Sequence, residues 1–278
     1  MYGRRIDSAS RNGRNRGDRH EMSRVEAGTM SKLGTIAKGL RLLFVDRSDA
    51  AWMAVRRAEF AAHVHIPMVS LGEIAGSSGD VVIPMPSLKR EGVGDANYYY
   101  ALGAIARALQ PRTILEIGTY LGMGALTFAL NTTAECRIFT IDLPDSEFDS
   151  DAEAGDWQFV ENSRGRVGSA WRDYPSQISG KIVQLRGDSR TVSLDEVGRP
   201  DLIFIDGGHS YEIVKSDTER ALSVLAQGGA MLWDDYGMFW QDDVVRYLDG
   251  LSESLELLRL EGTDLVLHFP DKTLPGGD

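Results

Sequence analysis

The chain has 278 residues, 42% of them hydrophobic, with 30 lysines and arginines against 41 aspartates and glutamates, for a net charge of −11. That length can bury one large core, or a core plus a small appendage. The single cysteine, Cys136, excludes a disulfide framework, no apolar stretch reaches membrane-spanning length, and no apolar signal core opens the chain. The expected setting is therefore reducing and cytoplasmic, without a membrane partner. No nucleic-acid partner is expected either, because phosphates need a basic footprint that an acidic body lacks.

Charge is uneven along the chain. Residues 1–30 carry seven arginines against four acids, so the remaining residues carry −14. The run Arg11-Asn-Gly-Arg-Asn-Arg-Gly-Asp-Arg19 has almost no apolar content, which predicts a disordered basic tail over 1–30. Such a tail could touch RNA or acidic lipid, but a solvated extension is the plainer reading, and a start codon placed too early, with Met22 or Met30 as the true start, would account for it. From Lys32 to His65, Leu40, Leu43, Phe44, Trp52, Val55 and Phe60 give apolar helical faces, and Asp46 or Ser48 can cap a second helix. Ile66 to Gly94, rich in Gly and Pro, reads as a lid-like loop. Residues 31–97 are thus expected to form a helical cap and loop, and 98–278 the main domain.

The main domain begins with a helix, opened at Asp95 or Asn97 and stopped after Leu109 by Pro111. Tyr98, Tyr99 and Tyr100 start it; core packing with one exposed ring accounts for them, with one left for the site. Thr113 to Ile117 reads as a strand, Gly118 to Gly124 as a turn, and Ala125 onward as a helix. Glycines there let the backbone approach a ligand, but the Glu116-x-Gly118-x-x-x-Gly122 spacing differs from the dinucleotide pattern. The next strand, Arg137 to Asp142, ends in an acid able to take both hydroxyls of a ribose. An acidic stretch, 145–156, reads as a solvated face, whereas the arginines and aromatics of 157–174 suit a solvated face or a polar pocket equally.

Strand Ile182 to Leu185 leads to Gly187-Asp188-Ser189, either an ordinary turn or a polar pair placed to read an adenine edge. Runs 202–205 and 230–233 read as strands buried on both faces. They stop at Asp206 and at Asp234-Asp235. Any one of these acids could simply cap the following helix. Three at matched strand ends point instead to a ligand site beyond the carboxyl edge of a sheet. Three converging carboxylates call for a hard cation such as Mg²⁺, Ca²⁺ or Mn²⁺. A helix over 210–226 ends at Gly228-Gly229, and two β-like runs joined by Glu261-Gly262 predict a C-terminal hairpin.

The ordered set Leu-Glu-Ile-Gly-Thr-Tyr-Leu-Gly (115–122), Thr-Ile-Asp-Leu-Pro (140–144), Gly-Asp-Ser (187–189), Phe-Ile-Asp-Gly-Gly-His-Ser-Tyr (204–211) and Trp-Asp-Asp-Tyr (233–236) resembles the class I S-adenosylmethionine-dependent methyltransferases. The nearest branch is that of the bacterial metal-dependent O-methyltransferases of the macrocin O-methyltransferase and cephalosporin-hydroxylase-like kind. The likeness spans residues 98 to 270 and is carried by the motifs in order rather than by any one. It implies an α/β fold: a Rossmann-like, doubly wound, seven-stranded sheet, mostly parallel, with an antiparallel C-terminal hairpin strand and an N-terminal helical cap. It assigns Glu116, Gly118, Thr119, Tyr120 and Gly122 to S-adenosyl-L-methionine, Asp142 with Leu143 to its ribose, and Asp188 with Ser189 to its adenine. Asp206 borders that cofactor and, with Asp234 and Asp235, matches the Mg²⁺ ligands of metal-dependent members. His209 takes the position of the general base.

The chemistry expected is methyl transfer to the hydroxyl of a small molecule, such as a sugar, phenol or natural product, with homo-oligomerisation left open. An unperturbed histidine, with a pKa near ~6.5, can take the proton; the plain alternative for His209 is a helix-start residue bonded to backbone. Two other classes stand beside this one. The first is a nicotinamide-dependent oxidoreductase, disfavoured by the glycine spacing. The second is a non-catalytic S-adenosylmethionine-binding module, disfavoured by the acids and His209.

Overall fold

A computed structural model describes residues 66–76, 79–84, 96–144, 157–237 and 242–269. The basic tail, the helices expected over 32–65 and the acidic stretch 145–156 lie outside them. The described residues fall in one compact unit, 64–278. Its frame is eight strands: β1 Met68–Val69, β2 Thr113–Ile117, β3 Arg137–Asp142, β4 Ile182–Arg186, β5 Leu202–Ile205, β6 Ala230–Trp233, β7 Leu258–Leu260 and β8 Val266–His268. Their order is β1-β7-β8-β6-β5-β2-β3-β4.

β5 and β6 are buried at every position, and β2 at four of its five. Covered on both faces, such strands have no polar side to alternate with, so they read as unbroken apolar runs. The long helices are α2 Ala96–Leu109, α3 Met123–Asn131, α6 Tyr211–Val224 and α7 Asp242–Leu251, with shorter α1 Leu71–Ala75, α4 Trp157–Ser163 and α5 Ser176–Ser179. α2 packs on α3, and α6 on α7. Leu102, Ile105 and Phe128 meet Phe204 and Leu232 of the sheet in one core, where the Phe128 and Phe204 rings stand edge to face at 5.9 Å. The buried Lys181 ammonium donates to the Ala129 and Thr132 carbonyls at 2.7 and 2.9 Å, neutralising the negative end of α3.

From β2 the chain winds outward through β3 to β4, then returns and winds the other way through β5 to β6. Right-handed crossovers on a reversing path place helices on opposite faces, and the reversal between β2 and β5 opens a crevice at their carboxyl ends. The hairpin closes the sheet as expected, β8 running antiparallel to both β6 and β7.

Two expectations change. The sheet has eight strands rather than seven, and part of the expected loop 66–94 is ordered structure. β1 pairs in parallel with β7, and Ser70 caps α1 in a reciprocal box with Glu73. A two-residue strand is too short to show a period, so Gly and Pro density dominated the reading; the Ser70-Leu-Gly-Glu73 pattern was the available signal. Among the described residues no helix is long and apolar enough to cross a membrane.

Candidate active site

The strand ends are held in register one residue beyond the sheet. Gly118 N–H donates to the Ile141 carbonyl at 2.9 Å, Asp206 N–H to Ile117 at 2.8 Å, and Asp234 N–H to Ile205 at 3.0 Å. Gly118, Asp206 and Asp234 therefore stand side by side at the crevice. Gly118 has φ +100°, and a Cβ there would lie 1.7 Å from the Asp206 carbonyl oxygen, so no other residue fits.

The turn after β2 is braced from below. Glu116 is 1% exposed. Thr119 and Thr140 hydroxyls are 2.7 Å apart, and Thr140 donates on to the Glu116 carboxyl. Burial pushes that carboxyl up to about 8, against the hydrogen bond from Thr140. Asp142 reaches across from β3, where its two oxygens accept the Tyr120 N–H at 2.7 Å and the Leu143 N–H at 2.8 Å. Tyr120 itself has φ +47°, a left-handed conformation that the Asp142 contact helps to hold.

Residues 163–174 dock on the same turn. Gly168 N–H donates to the Tyr120 carbonyl and Ala170 N–H to the Leu121 carbonyl, both at 2.9 Å. The Trp171 ring lies against Gly122, where a Cβ would come within 2.0 Å of it. Arg164 pairs with Glu161 near the surface at 2.8 Å. Thus Arg164 fits the solvated reading of this stretch, whereas Trp171 clamps the glycine turn, a role neither reading contained. Its partner lies far back in the chain, so local composition carried no signal of it.

Beyond β4, Asp188 is bound to Arg190, which contacts both carboxylate oxygens at 2.7–3.0 Å and holds the carboxyl below its ordinary range. Ser189 faces Asp217 of α6, a fully buried carboxyl that burial pushes up to about 6. Asp217 drew no notice in the sequence because it sits mid-helix among polar neighbours.

At the ends of β5 and β6, one carboxylate oxygen from each of Asp206, Asp234 and Asp235 lies within 4.8 Å of the others. Burial, then the charge of a neighbouring aspartate, pushes the Asp206 and Asp234 carboxyls well above the usual range. Two like charges in a half-dry cleft cannot both ionise without a counter-charge. An all-oxygen donor set of this kind fits a hard divalent cation. Asp235 has φ +62° and pairs with His209, whose Nε2 is 2.7 Å from its Oδ2. Strained backbone of this sort persists where surrounding contacts over-determine it. The Tyr98 hydroxyl also enters, 3.4 Å from Asp206 Oδ2 and hydrogen-bonded to Asp234. Burial and the Asp206 and Asp234 charges push that hydroxyl well up, so it keeps its proton.

Residues 115–236 match the family model described as a methyltransferase domain. Over that stretch, somewhat under half of the chain, the sequence is similar to a methyltransferase domain. The match runs from β2 to just beyond Asp235 and so holds every site residue named above except Tyr98. It favours a methyltransferase reading over the nicotinamide-dependent alternative.

No curated protein matches the chain by sequence. Among solved structures, the O-methyltransferase TomG of Streptomyces achromogenes, involved in tomaymycin synthesis and solved with S-adenosylmethionine, is 16% identical. It covers 77% of this chain and 95% of its own, with a TM-score of 0.46. The methyltransferase PaMTH1 of Podospora anserina is 18% identical, over 77% of this chain and 93% of its own, with a TM-score of 0.49. An O-methyltransferase from Bacillus cereus is 14% identical, over 86% and 99%, with a TM-score of 0.45.

Two outcomes are expected of the glycine turn. Glu116 has an ordinary value of 4.5 when unfolded and about 8 when folded. Below the first value both states hold the proton. Between the two, the unfolded chain releases it and the folded chain does not, so stability falls as pH rises, by at most about 1.4 kcal/mol per pH unit. Glu116→Gln should remove that slope: its advantage over the wild type, read from melting temperatures, should grow from about pH 5 to pH 8 and then level off. An advantage that does not change with pH would mean Glu116 is ionised in the fold. Separately, Trp171→Ala should weaken methyl-donor binding by about tenfold, or ~1.4 kcal/mol, while Trp171→Phe retains most of it. Calorimetry with S-adenosylhomocysteine checks this.

Proposed function

We propose that this methyltransferase uses S-adenosylmethionine to methylate the hydroxyl of a small molecule with the help of a divalent cation. One juxtaposition carries the reading: the His209–Asp235 pair and the Asp206 and Asp234 carboxylates lie at adjoining strand ends beside the glycine turn. The donor substrate brings its own activated methyl group, so the protein must bind it, align an oxygen with it and remove a proton.

Gly118, Thr119, Tyr120 and Gly122 would receive the methionine and ribose portion from the turn, Asp142 with Leu143 the ribose, and Asp188 with Ser189 the adenine. Asp142 already accepts two backbone N–H groups, but each carboxylate oxygen keeps lone pairs for hydroxyl donors. Asp188 is offered to the adenine through a carboxylate that Arg190 holds in place.

A cation on Asp206, Asp234 and Asp235 would, when bound, act as a Lewis acid that lowers the pKa of the acceptor hydroxyl. Asp235 orients His209 through the contact of its Oδ2 with Nε2 at 2.7 Å. His209 then takes the acceptor's proton as its oxygen attacks the methyl carbon and the carbon–sulfur bond breaks. Alignment of the two substrates supplies much of the rate, on the order of 7–11 kcal/mol in favourable cases.

The test is turnover of S-adenosylmethionine with panels of sugar, phenol and natural-product acceptors, following S-adenosylhomocysteine and locating the methyl group in the product. An ether product formed only with added Mg²⁺ or Mn²⁺ supports the reading. A methylated nitrogen or carbon, or tight binding with no turnover on any panel, overturns it.

A further inference from the structure

Three consecutive tyrosines open α2, and the fold sends each to a different place. Tyr99 is buried in the core at 4% exposure, and Tyr100 faces solvent at 42%. The Tyr98 ring stands edge to face on Tyr99, with centroids 5.1 Å apart, and its hydroxyl enters the acidic cleft. There it lies 3.4 Å from Asp206 Oδ2 and hydrogen-bonds Asp234. These two acids end neighbouring parallel strands, β5 and β6, while Tyr98 comes from a helix 108 residues earlier.

A phenol carries one proton. Here one proton lies between two carboxylates that would otherwise repel each other and swing apart about their side-chain torsions. Leu102 and Ile105, both fully buried one to two turns further along α2, fix the helix and thereby the hydroxyl. Asp235 stands apart from this arrangement: its left-handed backbone sets its carboxylate, which pairs with His209.

We propose that Tyr98 is a positioning residue of the metal site: its hydroxyl fixes the side chains of Asp206 and Asp234 so that one oxygen of each faces a shared cation. This rests on reading those aspartates as metal ligands. Outer partners that orient ligands typically contribute about 10–100-fold in metal affinity. Tyr98→Phe keeps the ring, its packing on Tyr99 and the helix, and removes only the hydroxyl.

The experiment is a calorimetric titration of Mn²⁺ into the full chain, for wild type, Tyr98→Phe and Asp234→Asn, with S-adenosylhomocysteine affinity and melting temperature measured alongside. The expected result is Mn²⁺ binding that is about 10–100-fold weaker in Tyr98→Phe, with the other two quantities unchanged. Equal Mn²⁺ affinity in wild type and Tyr98→Phe, together with a loss in Asp234→Asn, overturns the role of Tyr98 and leaves the metal site standing. No Mn²⁺ binding by the wild type overturns the metal site and the inference with it. A Tyr98→Phe protein that melts lower and loses S-adenosylhomocysteine affinity by the same factor as Mn²⁺ marks a general packing role, and overturns the inference alone.

Discussion

His209→Ala should bind Mg²⁺ and S-adenosylmethionine nearly as the wild type does, yet turn over about 10²–10⁴-fold more slowly, the usual contribution of a positioned general base. The side chain pairs with Asp235 at 2.7 Å and is assigned neither to the cation nor to the methyl donor, so its removal should spare both ligands. Chelation should separate the base from the metal. EDTA should abolish wild-type activity, and Mg²⁺ or Mn²⁺ should restore it; the residual activity of His209→Ala should respond to EDTA in the same way. Asp234→Ala should lose metal and acceptor binding with methyl-donor affinity almost intact. Full turnover by chelated wild type would remove the cation from the mechanism and leave His209 to act alone. A His209→Ala enzyme with unchanged kcat would return His209 to a helix-start residue.

Asp142→Ala should lose methyl-donor affinity far more than stability. Two effects combine there. Hydrogen bonds from ribose hydroxyls to a carboxylate are worth about 1.5–3 kcal/mol each. The same carboxylate holds the Tyr120 N–H at 2.7 Å, in a turn whose φ of +47° an ordinary side chain avoids. Asp142→Asn should recover part of the loss, since its side-chain oxygen can still accept one of the two backbone N–H groups. Calorimetry with S-adenosylhomocysteine reads both variants, and an unchanged dissociation constant in Asp142→Ala would refute the ribose assignment. Mn²⁺ affinity should be unaffected in either variant, because Asp142 ends β3, two strands away from β5.

The central strands were legible without the structure because each is buried on both faces. Thr113–Ile117, Arg137–Asp142, Leu202–Ile205 and Ala230–Trp233 fall where the apolar runs put them, and the half-buried edge strand Ile182–Arg186 runs one residue further than its run. The residue that ends each run was legible for the same reason: a polar atom just past a buried strand must lie at the sheet edge. Hence Gly118, Asp142, Asp206 and Asp234 could be placed at one edge before their distances were known. The C-terminal hairpin was legible from its turn residues, although β7 and β8 are shorter than the two runs and the connection is longer. β1 and α1 were not, since five helical residues and two strand residues are too few to show a period against a Gly- and Pro-rich background.

Sequence by itself determined which residues could carry chemistry, because acid and glycine types at strand ends follow from local periodicity and from the steric freedom of glycine. Tertiary structure alone decided which of them meet. The reversal of winding between β2 and β5 brought the glycine turn beside Asp206, and parallel register brought Asp206 beside Asp234. The left-handed backbone at Asp235 aimed its carboxylate at His209, and the docking of α2 delivered the Tyr98 hydroxyl to both acids. Trp171 reached Gly122 in the same way, across nearly fifty residues. Contacts of that kind depend on how rigid elements pack rather than on any local pattern, and neither a period nor a motif within a single segment encodes them.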